Sequence, residues 1–406
     1  MAVIGGGLGI APNGMRMIRA LNTGVHRAAI AQGYAVARFQ FNNARGWTIG
    51  SIPTVDLRRE PEIMVMSRRQ GIWECFRDEV PDEVLVRKKV AVVGRSPAGK
   101  PVLRFEDGSE EQFDLVIGAD GIKSVVKEAV VGDIYPPIYT GFYSVGGFMS
   151  SKWLPQLPPE NADLRPLKSQ VVMAFGPDGF FGYGPFCAAS ESVWSDEYIT
   201  QNKTRPYGSQ GMWWSRAQRD DRDTKNIDDA TVRQELQRRQ GMSKDPVIQH
   251  LINEADIELK IATWVTPKLP TWASDRVILV GDAAHALPSS SGQGASPALE
   301  DAYTITFLLR HFLSLAYDSR SRTMTEENAI RLASEQYCEI RKPHVEAILD
   351  GAIKIEMRRS TAGILTEYAM YTAMWIMCKF FPGFMTRQIS QYSLEDEVNK
   401  VIRSVT

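Results

Sequence analysis

The stretch Arg276-Val-Ile-Leu-Val-Gly-Asp-Ala-Ala-His285-Ala-Leu-Pro288-Ser-Ser-Ser-Gly292-Gln-Gly294-Ala295-Ser-Pro297 constrains the fold more than any other part of the chain. Its apolar run, 277–280, reads as a strand that delivers Gly281 and Asp282 to its carboxyl end, where ligands sit in open α/β sheets. Gly292 and Gly294 let backbone amides approach a planar ligand closely, because no side chain stands in the way. Pro297 suits the first turn of the helix that follows. The partial positive charge at that helix's N-terminus favours negative charge developing on a bound ring.

A second stretch, Asp114-Leu-Val-Ile-Gly118-Ala-Asp120-Gly121-Ile-Lys-Ser124-Val-Val-Lys127, repeats the logic: an apolar strand ends in an Asp-Gly turn ahead of a helix. A third, Met66-Ser67-Arg68-Arg69-Gln-Gly-Ile72, places a guanidinium, best matched by Arg69, at a helix start, where it suits a pyrophosphate. Near the N-terminus, Gly5-Gly-Gly7-Leu-Gly9-Ile-Ala-Pro12-Asn-Gly-Met-Arg-Met17 joins a glycine-rich loop to a Pro-started helix.

Together these motifs resemble the group A flavin monooxygenases, the family of para-hydroxybenzoate and salicylate hydroxylases, over residues 5 to about 350. The resemblance implies that Asp282 holds a ribityl hydroxyl of FAD and that the loop from Pro288 through Gly292 and Gly294 to Ala295 lies against the isoalloxazine ring. Asp120 and Gly121 are implied to serve the FAD pyrophosphate and NAD(P)H, Arg69 the pyrophosphate, and Gly7 the cofactor loop. Lys127 stands where the family usually has arginine. His285 and the segment Glu339–Val345 are implied to be structural. NAD(P)H as co-substrate then reduces the flavin, O₂ is activated on it, and one oxygen atom passes to an aromatic or polycyclic small molecule, in a pathway of secondary metabolism.

The same resemblance implies an α/β, glutathione-reductase-like FAD-binding fold with an inserted β-sheet substrate lobe and a helical C-terminal tail. The expected segments are residues 1–130 and 271–355 for the FAD-binding lobe, 131–270 for the substrate lobe and 356–406 for the tail. The front end departs from the pattern. A G-x-G-x-x-G count from Gly5 puts Ile10 at the third glycine, and the first acidic residue of the chain is Asp56, so no ribose-binding acid follows at the usual distance. The first βαβ unit is therefore expected to be missing, as in an N-terminally truncated gene, which puts the adenosine end of the FAD site in question.

Local patterns predict a helix over 12–21, strands over 34–41 and 47–52 about an Asn-Asn-Ala-Arg-Gly turn, and an extended segment over 62–66. A helix over 69–78 is expected with Ile72, Trp73 and Phe76 on one face, followed by strands over 84–93, 101–105 and 114–118. Between about 130 and 270, Tyr139, Phe142, Tyr143, Phe148, Phe175, Phe180, Phe181, Tyr183, Trp213 and Trp214 suit a sheet lobe with a wide apolar pocket or, equally, an ordinary core. Where some phenol-hydroxylating relatives use an arginine and a tyrosine, this chain has Gly146 and Phe175. No catalytic acid or base is assigned, and an indole, alkene or other electron-rich polycycle becomes a plausible substrate.

A formal net charge of −1 and a pI near 6.6 give no electrostatic case for nucleic acid. Cys75, Cys187, Cys338 and Cys378 have no metal or disulfide spacing, and the histidines none of metal ligands, so no metal is expected. With glycines interrupting any apolar leader, a cytoplasmic location is expected. The apolar but interrupted segment around 361–385 either packs on the body or makes peripheral membrane contact. Two other functions stay open: a FAD-dependent dehydrogenase or reductase, and a catalytically silent fragment that only binds hydrophobic ligands or a partner.

Overall fold

The computed structural model describes residues 6–36, 38–54, 62–154, 171–176, 179–187, 208–318, 324–360, 364–383 and 392–405. In chain order they form β1 (Gly7–Ile10), α1 (Pro12–Leu21), α2 (Thr23–Gln32), β2 (Tyr34–Val36), β3 (Arg38–Asn43), β4 (Thr48–Pro53), β5 (Met64–Arg68), α3 (Arg69–Arg77), β6 (Val90–Arg95), β7 (Pro101–Phe105), β8 (Glu110–Gln112), β9 (Val116–Gly118) and α4 (Val125–Val131). Next come β10 (Ile138–Ser150), β11 (Val171–Gly176), β12 (Gly179–Pro185), β13 (Gln210–Gln218), α5 (Asp229–Gln240), α6 (Pro246–Glu254), β14 (Leu259–Val265), β15 (Ala273–Ser274) and β16 (Val277–Leu279). The C-terminal region is helical, with α7 (Asp282–His285), α8 (Ala295–Tyr317), α9 (Glu326–Ser360), α10 (Ile364–Phe380) and α11 (Leu394–Val405). This is an α/β fold with mixed sheets.

The chain forms two compact units, one within Met1–Glu79, Gly141–Thr263 and Ile355–Tyr392, the other within Val80–Thr140, Trp264–Lys354 and Ser393–Thr406. These units cut the chain differently from the four sequence segments. Within the first unit, β3 hydrogen-bonds beside β11, which draws the first hairpin into the large sheet, and α10 packs on β4.

In the first unit, β1 and β2 flank β5 in a three-stranded antiparallel sheet. Here α1 starts with Pro12 as expected and buries Met15, Met17 and Ile18. A seven-stranded sheet runs β14-β10-β13-β12-β11-β3-β4. Its β3–β4 hairpin closes through Asn43, whose Oδ1 accepts the amides of Arg45 and Trp47, with Gly46 at φ +84°. On the back face, Val232, Leu236, Ile248 and Leu251 of α5 and α6 pack against Tyr143, Val145, Phe181 and Trp213.

In the second unit, β9 and β16 run parallel with β15 on the far edge of β16, and β6–β7–β8 form a separate antiparallel sheet. Every residue of β16 is buried, which suits a strand covered on both faces.

Four local expectations need correction. The strand predicted from residue 84 begins only at Val90, because β7 pairs with nothing earlier and leaves Val84 and Val86 exposed. In α3, Ile72 is buried but its neighbour Trp73 is 51% exposed, since consecutive residues of a helix cannot share one narrow face. Helix α2 has no counterpart in the sequence reading; its signal is Asn22, which caps the amides of Gly24 and Val25. The expected 34–41 strand is split between β2 and β3, with Ala37 outside the described residues.

Candidate active site

The parallel register Val277↔Val116, Ile278↔Ile117, Leu279↔Gly118 places two of the sequence motifs side by side at the carboxyl ends of their strands. The Val280 amide still donates to the Gly118 carbonyl at 3.0 Å, and the two chains then part. One leads into Asp120-Gly121 and the other into Gly281-Asp282, the place where open α/β sheets accept ligands.

Gly281 adopts φ 57° and ψ −141°, a conformation essentially closed to other residues. That turn is anchored from below. The Gly281 amide donates to Asp301 Oδ2 at 2.9 Å, and the His285 ring hydrogen-bonds to the same oxygen. Asp301 Oδ1 accepts from Arg341 Nε at 2.9 Å, while Arg341 also pairs with Glu300 at 2.7 Å. Tyr337 donates to the Leu279 carbonyl at 2.9 Å. All five side chains are buried. Burial alone would raise the Asp301 carboxyl, but the charges of His285 and Arg341 outweigh it and hold the group at about 2. This hub escaped the sequence reading apart from the structural role implied for His285 and for the Arg341 segment. One signal was present: Arg341 falls in the buried stripe Ala333, Tyr337, Arg341, Val345, Leu349, where a charge needs a partner.

Above the hub, Asp282 opens α7 with its side chain exposed, and its carbonyl accepts from Thr266 Oγ1 at 3.0 Å. Pro288 is buried and precedes a short turn that ends at Gly292, φ 64°. Gly294 and Ala295 then start α8, whose first turn carries Pro297 and has no side-chain cap and no acid. A helix N-terminus without an acid in its first turn suits an anionic or electron-rich ligand.

The DG turn is shaped differently. Asp120 Oδ2 accepts from the Val125 and Val126 amides at 2.8 and 3.3 Å, and Ser124 caps Lys127, so both side chains hold the N-terminus of α4. Gly121 supplies φ 80°. Lys127 is buried on α4, and burial pushes its ammonium down from the ordinary lysine range.

A methyl group added at Gly121, Gly292 or Gly294 would meet no atom of the described residues within 4 Å. For Gly294, at φ −56° and ψ −43°, neither backbone strain nor internal packing calls for glycine. Open backbone at this spot fits a flat ring lying against the loop, and the exposed Asp282 carboxylate fits a hydroxyl donor beside it.

In the first unit, Gly7 and the arginine pair come together. Gly7 pairs with Arg68 across β1 and β5, and the Arg69 amide donates to the Gly6 carbonyl at 3.2 Å. The Arg69 side chain is exposed at the first turn of α3. A Cβ on Gly7 would overlap the Met212 sulfur, so a larger residue there would have to displace the end of that side chain.

The front face of the seven-stranded sheet carries Phe39, Phe41, Met173, Phe175, Phe180, Met212, Trp214 and Phe148. Helix α10 covers the β3–β4 end through Tyr371 and Cys378, while Phe39, Phe148, Met173 and Trp214 stay only partly buried. Of the rings singled out in sequence, Tyr143, Phe181, Tyr183 and Trp213 belong to the back-face core. Gly146 has no room for a side chain, since a Cβ would sit 2.6 Å from the Trp213 carbonyl oxygen. Phe175 is buried against Phe41 and Phe180.

The family model described as "FAD binding domain" matches residues 87–334, and the chain belongs to that family. Among curated proteins it is 28% identical to the aurachin C monooxygenase/isomerase of Stigmatella aurantiaca, over 74% of this chain and 70% of that one. It is 23% identical to the 6-hydroxynicotinate 3-monooxygenase of Pseudomonas fluorescens, over 76% and 73%. A salicylate hydroxylase substrate complex shares its fold, with a TM-score of 0.71, 19% identity, and coverage of 97% of this chain and 89% of that one. The protein is a FAD-dependent monooxygenase that uses NAD(P)H as co-substrate.

Proposed function

We propose that this enzyme inserts one oxygen atom of O₂ into an aromatic or polycyclic small molecule of secondary metabolism, held on the front face of the seven-stranded sheet. The observation that carries the substrate reading is the incomplete cover of that face, where Phe39, Phe148, Met173 and Trp214 remain partly open beside a buried aromatic core. Relatives that act on 6-hydroxynicotinate and on 3-amino-4-hydroxybenzoate support an aromatic substrate.

We assign the cofactor residues as follows, within the glutathione-reductase-like arrangement expected from sequence. Asp282 accepts a ribityl hydroxyl, while Gly292, Gly294 and Ala295 give the ring an open backbone and a helix N-terminus. Pro288 shapes that loop from its buried position, and Asp120 and Gly121 form the turn that admits the pyrophosphate and the nicotinamide nucleotide. Arg69, beside Gly7, supplies a bidentate donor to phosphate. FAD, when bound, takes up hydride and activates oxygen; the protein's part is to position the partners and exclude water.

The test is oxygen-dependent NAD(P)H oxidation by the FAD-supplemented chain, stimulated by an aromatic substrate whose product gains one atom from labelled O₂. Reduction of the flavin with transfer to an artificial acceptor, and no oxygen incorporated, would instead establish a dehydrogenase.

For the tail, we propose peripheral contact with a lipid surface through α10. Its outer side presents Leu365 (88% exposed), Tyr368, Trp375, Ile376 and Phe380, with Lys379 lying over Trp375. No helix among the described residues is long and apolar enough to cross a membrane. Residues 361–363 and 384–385 of the predicted contact segment lie outside the described residues. Co-sedimentation with anionic vesicles, lost in a Trp375→Glu variant that still folds, is the expected result; sedimentation of both proteins alike would refute it.

A further inference from the structure

We infer that Arg68 is a specificity-determining residue, its guanidinium set among the rings of the front face so that the site selects aromatic substrates bearing a carboxylate or similarly compact anion. The inference rests on that face being the substrate surface and adds the charge its occupant must carry.

Side chains alternate along β5, so Arg68 follows Met64 and Met66 onto the side that packs with Phe186 and Met212. Arg69 is instead exposed on α3. The half-buried Arg68 guanidinium carbon lies 4.6 Å from the centre of the Phe148 ring and 5.3 Å from that of Phe186. Its Nη2 donates to the side-chain oxygen of Gln210, the only side-chain hydrogen bond it makes among the described residues. A guanidinium carries five N–H donors, so most remain for a ligand.

No carboxylate among the described residues pairs with Arg68. Some sheltered arginines pair with carboxylates, Arg219 with Glu235, Arg276 with Glu326 and Arg341 with Glu300 and Asp301, while Arg38 and Arg233 bond to serine and backbone oxygens with no aromatic wall beside them in the described contacts. At Arg68 the partner is a neutral amide and the neighbours are apolar rings. A cation in such surroundings is stabilised by an anion that brings its own planar apolar body, stacking on the rings while its oxygens take the fork. Phosphate of the cofactor could use the same donors, but aromatic walls give it nothing to stack on, and the exposed Arg69 suits it better.

The test is calorimetric titration of the full chain, saturated with FAD, with 2-naphthoate and with 2-naphthamide, which share a ring and differ in charge. Naphthoate is expected to bind about tenfold or more tightly than the amide. Arg68→Met should abolish the preference by weakening naphthoate alone, and Arg68→Lys should keep part of it. Gln210→Glu supplies an internal carboxylate and should collapse the preference with the arginine still in place, so the inference can be tested even if Arg68→Met fails to fold. Met173→Trp, which fills the same face, should weaken both probes together.

If the preference survives Arg68→Met and Gln210→Glu while Met173→Trp still weakens both probes, the role of Arg68 is overturned and the substrate face stands. If Met173→Trp changes neither probe, the substrate face falls and the inference with it. An Arg68→Met protein that binds FAD more weakly but discriminates the probes normally would place Arg68 on the cofactor's phosphates, which also overturns the inference.

Discussion

The turns around Gly281 and the front face of the seven-stranded sheet, proposed above as the cofactor and substrate surfaces, leave space by opposite means. At the turns, space is made by omission: glycines leave backbone bare, and a buried charge network beneath them fixes its shape. On the sheet, space is left by excess: aromatic side chains fill most of the face, and α10 covers only one end of it. A backbone cradle tolerates almost no change in geometry, whereas a face of side chains can be repacked to take another substrate. On the proposed assignment, the cofactor would meet the fixed surface and the substrate the one that can be repacked.

If the cradle is rigid because of its hub, breaking the hub should have the largest effect. Arg341→Met leaves Glu300 and Asp301 buried without their cation and is expected to cost about 3–5 kcal/mol in urea unfolding. The acid limb gives the sign. Asp301 is held at about 2, below the ordinary value near ~3.9, so its contribution is fully present above that value and is lost as pH falls towards about 2. Removing Arg341 should raise the folded-state value and shrink this acid-dependent contribution. An Arg341→Met protein as stable as the parent, with an unchanged acid limb, would mean that the hub does not hold the cradle.

Next in size is Gly281→Ala. A φ of 57° with ψ −141° strains any side chain, and the new Cβ would lie 3.2 Å from Ala298 Cβ, so a loss of about 1–3 kcal/mol is expected. A smaller loss is expected on the sheet. The Tyr371 hydroxyl of α10 donates to the Phe175 carbonyl, and Tyr371→Phe should cost about 1 kcal/mol by thermal unfolding. If it costs as much as Gly281→Ala, the contrast between a fixed cradle and a yielding face is lost.

What the sequence disclosed follows the same division. The cradle was legible because its requirements are local: a buried strand, glycines with positive φ at Gly121 and Gly292, a proline in the first turn of α8. The hub under it was not, because Arg341 lies forty positions along the chain from Asp301 and only tertiary packing brings them together. The DG turn was legible in place but not in detail, since the binding of Asp120 to the amides of α4 depends on how the loop closes. On the face, composition announced aromatic residues without saying which side each would take. Register decides that: Trp213 and Trp214 are adjacent in β13, and one enters the back core while the other lies on the front.

The smallest expected change in stability is also the most telling about the cradle. Gly294 has helical dihedrals and empty space around it, so alanine there gains from reduced freedom of the unfolded chain and loses a little at a helix start. The two effects nearly offset, and Gly294→Ala should unfold within about 0.5 kcal/mol of the parent. Its methyl group would nonetheless project into space that the described residues leave free. If that space is where the isoalloxazine lies, overpacking should weaken FAD by about tenfold or more in a fluorescence titration. Parental FAD affinity in a normally folded Gly294→Ala protein would move the ring away from this loop and reduce Gly294 to an ordinary helix start. Only a ligand can turn a substitution that the fold ignores into one that the cofactor feels.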